Sequence, residues 1–178
     1  MDGIGDSVDT LRPTGHARSL VDLPVDALWE RGWRGIILDL DNTCCPYHRP
    51  ELADGVAAWV GRARARGLRI VMVSNNFSER VAAVGAALDV PTVPNALKPL
   101  PFGLLRALRL LGTPRTATGV IGDQVFTDVL GAKLLGLRSV LTEPIVAQDF
   151  PLTRVLRWLE RRVYKRPPPG LPFFHGED

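Results

Sequence analysis

The chain has 178 residues, 46% of them hydrophobic and 23% charged, with a mean hydropathy near zero; these proportions exclude a disordered chain and fit one folded domain. No apolar run approaches the roughly 18 uncharged residues that span a bilayer, and the stretch MDGIGDSVDTLRPTGHARSL lacks the apolar centre of a signal peptide, so a cytoplasmic protein is expected. The net charge of +3 is uneven: between Pro151 and Arg166 six cations face Glu160 alone, a local +5 that leaves the rest of the chain at −2.

Residues 1–20 are rich in Gly, Asp and Ser without periodicity and read as a flexible leader. From Leu23 the pattern LPVDALWERGW predicts a short helix, with Pro24 tolerated in its first turn and Gly32 at its stop. Gly35 to Leu40 is a short apolar run ending in acid, as in a parallel strand buried on both faces. The pattern then repeats. A helix over about 51–66 leads into a strand over 68–73, then Ser74-Asn75-Asn76. Ser78 is placed to cap a helix ending near Leu88, and Val90 to Val93 forms the next strand. Pro101 opens an amphipathic helix that Gly112 closes, and Thr118 to Gly122 is a second strand ending in acid. A helix over about 127–135 and a strand over 138–142 complete the series. A last helix is read over 152–164 and a loose Pro-rich tail over 167–178. Alternating strands and helices predict a three-layer, Rossmann-like α/β fold in a single domain over 21–166, its parallel sheet covered by helices on both faces.

In an open parallel sheet, ligands bind beyond the carboxyl ends of the strands, so the polar residues there should converge. They are Asp39 and Asp41, Ser74 and Asn75, Lys98, and Asp123 with Asp128. One strand-end Asp alone would be read as a helix cap or turn former. Two carboxylates placed together need a cation, and a hard ion such as Mg²⁺ takes a few carboxylates plus phosphate oxygens; Asp123 or Asp128 could complete its shell. With charge neutralised, one carboxylate can attack phosphorus while the other serves as acid and base. Ser74 and nearby amides would hold phosphoryl oxygens, and Lys98 would balance the charge. Asn75 and Asn42 are the candidate substrate-binding side chains.

This ordered set resembles the four motifs of the haloacid dehalogenase (HAD) superfamily of phosphatases. Asp39-Leu40-Asp41-Asn42-Thr43 fits the first, Ser74 the second, Lys98 the third, and Gly122-Asp123 with Asp128 the fourth. The resemblance implies Asp39 as nucleophile, Asp41 as general acid and base, and Mg²⁺ held by Asp39, Asp41 through its carbonyl, and Asp123, with Asp128 in support. The stretch SNN with Arg80-Val81, ALKPL at 96–100, GDQxxTDV at 122–129 and EPI at 143–145 is similar to the YqeG family over about 23–162. That family is in turn similar to mitochondrial phosphatases acting on phosphatidylglycerophosphate. The chain departs from it at Cys44, where Leu is usual, and in its last helix, which lacks an Asn-Arg pair.

Superfamily phosphatases commonly select substrates with a cap domain, yet the gaps from Asp39 to Ser74 and from Ser74 to Lys98 are filled by core elements. No sizeable cap is expected, which by family analogy implies a large or surface-presented phosphate ester. In the last helix Leu152, Val155, Leu156, Leu159 and Val163 recur at helical spacing beside Arg154, Arg157, Arg161, Arg162 and Lys165. Such a helix either packs on the sheet with a solvated basic face or rests on an anionic membrane with Trp158 and Tyr164. Arg62, Arg64 and Arg66 read as a solvated face, and no nucleic-acid motif accompanies them. Cys44 and Cys45 read as rim residues of the pocket, a zinc site with His48 being the lesser reading. Trp29, Trp33 and Trp59 read as packing residues. The alternatives are a phosphatase of a soluble metabolite, nucleotide or phosphoprotein, and, more remotely, a receiver-like or non-catalytic module. A receiver also pairs a strand-end Asp with a hydroxyl and a Lys, but clusters its acids elsewhere than at Asp41.

Overall fold

The computed structural model describes residues 11–47, 49–76, 79–146 and 173–174. The readings made for His48, Ser78 and the helix over 152–164 fall outside them. The strands are β1 (Gly15–Ala17), β2 (Gly35–Asp39), β3 (Arg69–Val73), β4 (Thr92–Val93), β5 (Thr118–Gly122), β6 (Arg138–Thr142) and β7 (Phe173–Phe174). The α-helices are α1 (Val25–Glu30), α2 (Val56–Ala65), α3 (Glu79–Leu88), α4 (Pro101–Leu111) and α5 (Leu130–Leu134).

The sheet order is β4-β3-β2-β5-β6-β1-β7. The first six strands pair in parallel, and β7 runs antiparallel to β1. Within β2 the side chains divide between two cores. Ile36 and Leu38 join Ile70 and Met72 beneath Val56, Trp59 and Val60 of α2 and Val81 and Val84 of α3. Ile37 joins Val71, Val73 and Val120 beneath Leu104, Ala107 and Leu111 of α4 and Ala132 of α5. A strand covered on both faces has no polar side to show, so the all-apolar runs read as buried strands are explained by this three-layer packing. The tryptophans pack as expected, with Trp33 and Trp59 fully buried and the Trp59 indole N–H donating to the Leu23 carbonyl at 2.8 Å. Arg64 and Arg66 of the basic run make exposed ion pairs with Asp89 and Asp26.

Three expectations are corrected. The leader over 1–20 contains β1, whose Gly15 and Ala17 stand opposite Val140 and Thr142 of β6, and Leu20 is buried in the core. Three residues, Gly-His-Ala, carry no periodicity; the strand exists because the β6 backbone offers it a ladder. The tail likewise supplies β7 to the other edge of β1. The helix read over 127–135 begins as a wide π turn at Val125–Val129 before α5 proper.

No described helix is long and apolar enough to cross a membrane. Among the described residues, Asp39 to Ser74 contains one helix, α2, and Ser74 to Lys98 contains α3 and β4, so neither gap holds a further domain.

Candidate active site

Strand order reverses direction at β2: the chain proceeds to β3 and β4 on one side, then returns to β5 and β6 on the other. The carboxyl ends of β2 and β5 therefore flank a topological switch point, where diverging connections leave a crevice. Asp39 ends β2, Asp123 follows β5, and Ser74 follows β3.

Asp39, Asp123 and Asp128 are buried, and one carboxylate oxygen from each lies within 4.8 Å of the others. Lys98 Nζ donates to Asp39 Oδ1 at 2.5 Å and to Asp128 Oδ1 at 2.6 Å. Asp128 is further held through Oδ2 by the Gln124 N–H at 3.2 Å. Its place over the end of β5 depends on Gly122, where a Cβ would stand 2.3 Å from the Asp128 carboxyl. Burial pushes the Asp39 carboxyl well above its usual range, and Asp128 and Asp123 add to this against the opposing Lys98 charge. Burial disfavours the Lys98 ammonium, but Asp128 and Asp39 outweigh it and hold the amine above its ordinary value.

Three carboxylates facing one ammonium are short of positive charge, which a proton or a cation must supply. Three convergent hard oxygen donors suit a divalent ion that fills its remaining positions with water or phosphate oxygens. The residues thus fit a metal, and Asp39, Asp123 and Asp128 are the side chains that could hold it.

Asp41 stands apart from this cluster. Its Oδ2 accepts from Ser74 Oγ at 3.2 Å and Asn76 Nδ2 at 2.8 Å, and its Oδ1 is ion-paired with Arg80. Ser74 Oγ in turn accepts the Asn76 N–H at 3.1 Å. The turn that carries Asp41 closes on itself: the Asn42 N–H donates to the Cys45 carbonyl at 2.7 Å, and Asn42 occupies the left-handed region at φ 60, where Asn is better tolerated than most residues.

Ser74 follows β3, Lys98 lies in the loop between β4 and α4, Asp123 follows β5, and Asp128 lies in the π turn at Val125–Val129. The two Asn residues have a different use from that expected of them. Asn75 clamps the loop that carries Lys98, its Oδ1 accepting the Lys98 N–H at 2.7 Å and its Nδ2 donating to the Lys98 carbonyl at 3.1 Å. Asn42 is buried, and its Oδ1 accepts the Val146 N–H at 3.3 Å. Cys44 and Cys45 are not on the rim: both are buried in the core, and Cys44 Sγ donates to the Asp39 carbonyl at 3.2 Å. Burial raises the Cys44 thiol well above its ordinary value and Cys45 to about 11, which makes both poor metal ligands. Arg80 was missing from the expected site. It is the second residue of α3, and its signal is the Arg80-Val81 pair that follows Ser74-Asn75-Asn76 in the sequence.

A family model described as haloacid dehalogenase-like hydrolase matches residues 47–136, a stretch that contains Ser74, Lys98, Asp123 and Asp128. The "Probable phosphatase YqeG" of Bacillus subtilis strain 168 is 33% identical over 151 residues, covering 85% of this chain and 88% of that protein. The chain belongs to the haloacid dehalogenase-like hydrolases, in the YqeG family. As a YqeG-family phosphatase it is also similar to "Phosphatidylglycerophosphate phosphatase 1, chloroplastic" of Chlamydomonas reinhardtii, 27% identical over 73% of the chain and 52% of that longer protein. Among solved structures, the cobalt-bound deoxy-D-mannose-octulosonate 8-phosphate phosphatase of Haemophilus influenzae aligns with a TM-score of 0.53 at 12% identity, over 71% of this chain and 75% of that one. A haloacid dehalogenase-like hydrolase of Brucella suis 1330 aligns at 0.50 and 17% identity, over 72% and 94%. At such identities the likeness is one of fold, and it places this YqeG-family chain on the HAD-like α/β scaffold.

Proposed function

We propose that this phosphatase is a Mg²⁺-dependent phosphomonoesterase working through an aspartyl-phosphate at Asp39. The observation that carries the reading is the buried group of Asp39, Asp123 and Asp128 around Lys98 Nζ, at the switch point of the sheet. Mg²⁺, when bound, supplies the positive charge that lets anionic phosphate approach a carboxylate. An Asp39 oxygen bonds to phosphorus as the ester P–O bond breaks, and Asp41 gives a proton to the departing alkoxide. A water then yields its proton to Asp41 while its oxygen bonds to phosphorus. The bond to Asp39 breaks, and inorganic phosphate is released. Ser74 Oγ and the amides beside it hold phosphoryl oxygens, and Lys98 balances the charge that accumulates between nucleophile and phosphate. Asn75 acts through Lys98, as a positioning residue.

The substrate proposed is phosphatidylglycerophosphate or another large, surface-presented phosphate ester. The name of the Chlamydomonas relative and the absence of a further domain in either gap among the described residues support this reading. With it goes a cytoplasmic protein that visits the inner face of the membrane.

The test is hydrolysis by the purified chain of an aryl phosphate, phosphatidylglycerophosphate in mixed micelles, phosphopeptides and soluble phosphometabolites. Phosphate release is expected only with Mg²⁺ and fastest on the lipid. Asp39→Asn should lower kcat by about a thousandfold or more with the melting temperature retained. Undiminished turnover by Asp39→Asn would refute the mechanism, and a soluble metabolite hydrolysed fastest would replace the substrate.

A further inference from the structure

Lys98 reaches the catalytic centre from a loop whose neighbours point the other way. Leu97, Leu100 and Phe102 are 52%, 50% and 68% exposed, three large apolar side chains within six residues, in the loop that carries Lys98 and at the start of α4. Single exposed hydrophobics are ordinary, but a cluster beside an active site is not.

The loop is firmly held. The Ala96 N–H donates to the Ser74 carbonyl at 3.0 Å, the Asn95 N–H to the Asn76 carbonyl at 3.1 Å, and the Leu100 N–H back to the Leu97 carbonyl at 2.9 Å. Asn75 grips Lys98 from both sides. Within this frame Leu97 is in the left-handed region, at φ 55, a conformation that a branched apolar residue rarely adopts. A flexible loop would relax such a residue into the core; a rigid one presents it to solvent.

Charge points to what covers it. No Asp or Glu lies between Asp89 and Asp123, a stretch that carries Lys98, Arg106, Arg109 and Arg115. On α4 the exposed positions Phe102, Arg106, Arg109 and Leu110 fall at i, i+4, i+7 and i+8, one outer face, while Leu104, Ala107 and Leu111 are buried against the sheet. An apolar tip backed by arginines, on a stretch of chain that carries no acid, is complementary to an anionic lipid surface, where the apolar groups enter the acyl boundary and the guanidinium groups meet lipid phosphates.

We propose that the turn Leu97 to Phe102, with Arg106 and Arg109 behind it, is the surface by which this enzyme rests on an anionic bilayer, with the mouth of the active site facing the lipid head groups. This rests on the reading of a surface-presented substrate and adds to it the face that makes the contact, distinct from the basic segment over 152–164.

The experiment is co-sedimentation of the full chain with vesicles of phosphatidylglycerol and phosphatidylcholine, against vesicles of phosphatidylcholine alone. The chain should partition at least tenfold more strongly onto the anionic vesicles, and added salt should weaken this. Leu97→Asn/Leu100→Ser/Phe102→Ser and Arg106→Gln/Arg109→Gln should each reduce the partition at least tenfold without lowering the melting temperature. In a Phe102→Cys variant labelled with an environment-sensitive dye, anionic vesicles should shift the emission to the blue. Unchanged partition in the triple variant, or no emission shift, overturns the proposal and moves the contact elsewhere, to 152–164 first. A melting temperature lowered by the triple variant, or a dimer that it dissolves, also overturns it, because the chain itself or a second copy then covers the face. Since partition is read without turnover, a failure of the lipid substrate in the hydrolysis panel leaves this result standing or falling by itself.

Discussion

Asp41 shows how much of the site is set by single hydrogen bonds. The acid and base proposed at Asp41 must meet the leaving group in one orientation, yet a carboxylate on a turn swings freely about its own side-chain bonds. Here three donors from the segment after β3 and from α3 hold it: Ser74, Asn76 and Arg80. Arg80 does the most, because it pairs with Asp41 where both side chains are largely buried and also donates to the Arg49 carbonyl at 2.6 Å, joining α3 to the loop after β2. A charge-assisted contact in such surroundings is worth more than an exposed pair. Arg80→Gln should therefore lower kcat by about 10- to 100-fold, within the range that a positioned proton donor contributes, with a smaller change in KM. Arg80→Lys should recover only part, since an ammonium cannot hold Asp41 and Arg49 at once through one planar fork. Steady-state kinetics on an aryl phosphate check this; an unchanged kcat in Arg80→Gln would remove Arg80 from the positioning of Asp41.

At the scale of elements, α4 and the loop before it act as one piece. Gly103 lies so close to that loop that an added Cβ would stand 2.5 Å from the Ala96 Cβ and 2.6 Å from the Ala96 carbonyl oxygen. Gly103→Ala must push α4 off the loop that presents Lys98. Overpacking of this kind costs about 1–3 kcal/mol, so a fall in melting temperature together with a fall in kcat is expected, and thermal unfolding with kinetics measures both. A melting temperature unchanged or raised by the substitution would show that the loop gives way freely. Elements such as α4 were legible in the sequence because burial imposes period, and β2 and β5 because five successive buried residues leave no polar face. β1 was not legible, since its three residues become a strand only through β6, more than a hundred positions later. The same contrast runs through the site. Asp39, Ser74, Lys98 and Asp123 follow from where strands end, whereas Arg80 reaches Asp41 across 39 positions. Asn75 shows its place in the sequence but not its partner, because a side-chain amide serves a backbone or a ligand equally well.

For the molecule as a whole, the uneven charge acquires a structural meaning. The body outside the basic segment is slightly acidic, and three of its acids are gathered in the interior rather than dispersed over the surface. Burying like charges opposes folding, so the apo protein is held together despite its active site. A cation that binds only the folded state stabilises it by mass action, about 3 kcal/mol at a hundred times its dissociation constant, which for a domain of this size is roughly 6–12 °C in melting temperature. Asp123 is the member to change, because its charge raises the Asp39 carboxyl. Asp123→Asn keeps the shape and removes one negative charge. It should melt higher than the parent in EDTA, by about 1 kcal/mol or more in stability, and should lose most of the upward shift with Mg²⁺, together with turnover. Thermal melts of both proteins with EDTA and with a Mg²⁺ series decide the matter. If Asp123→Asn melts lower in EDTA and still gains the full shift with Mg²⁺, the three carboxylates are not a cation site, and the stability of the fold does not depend on filling it.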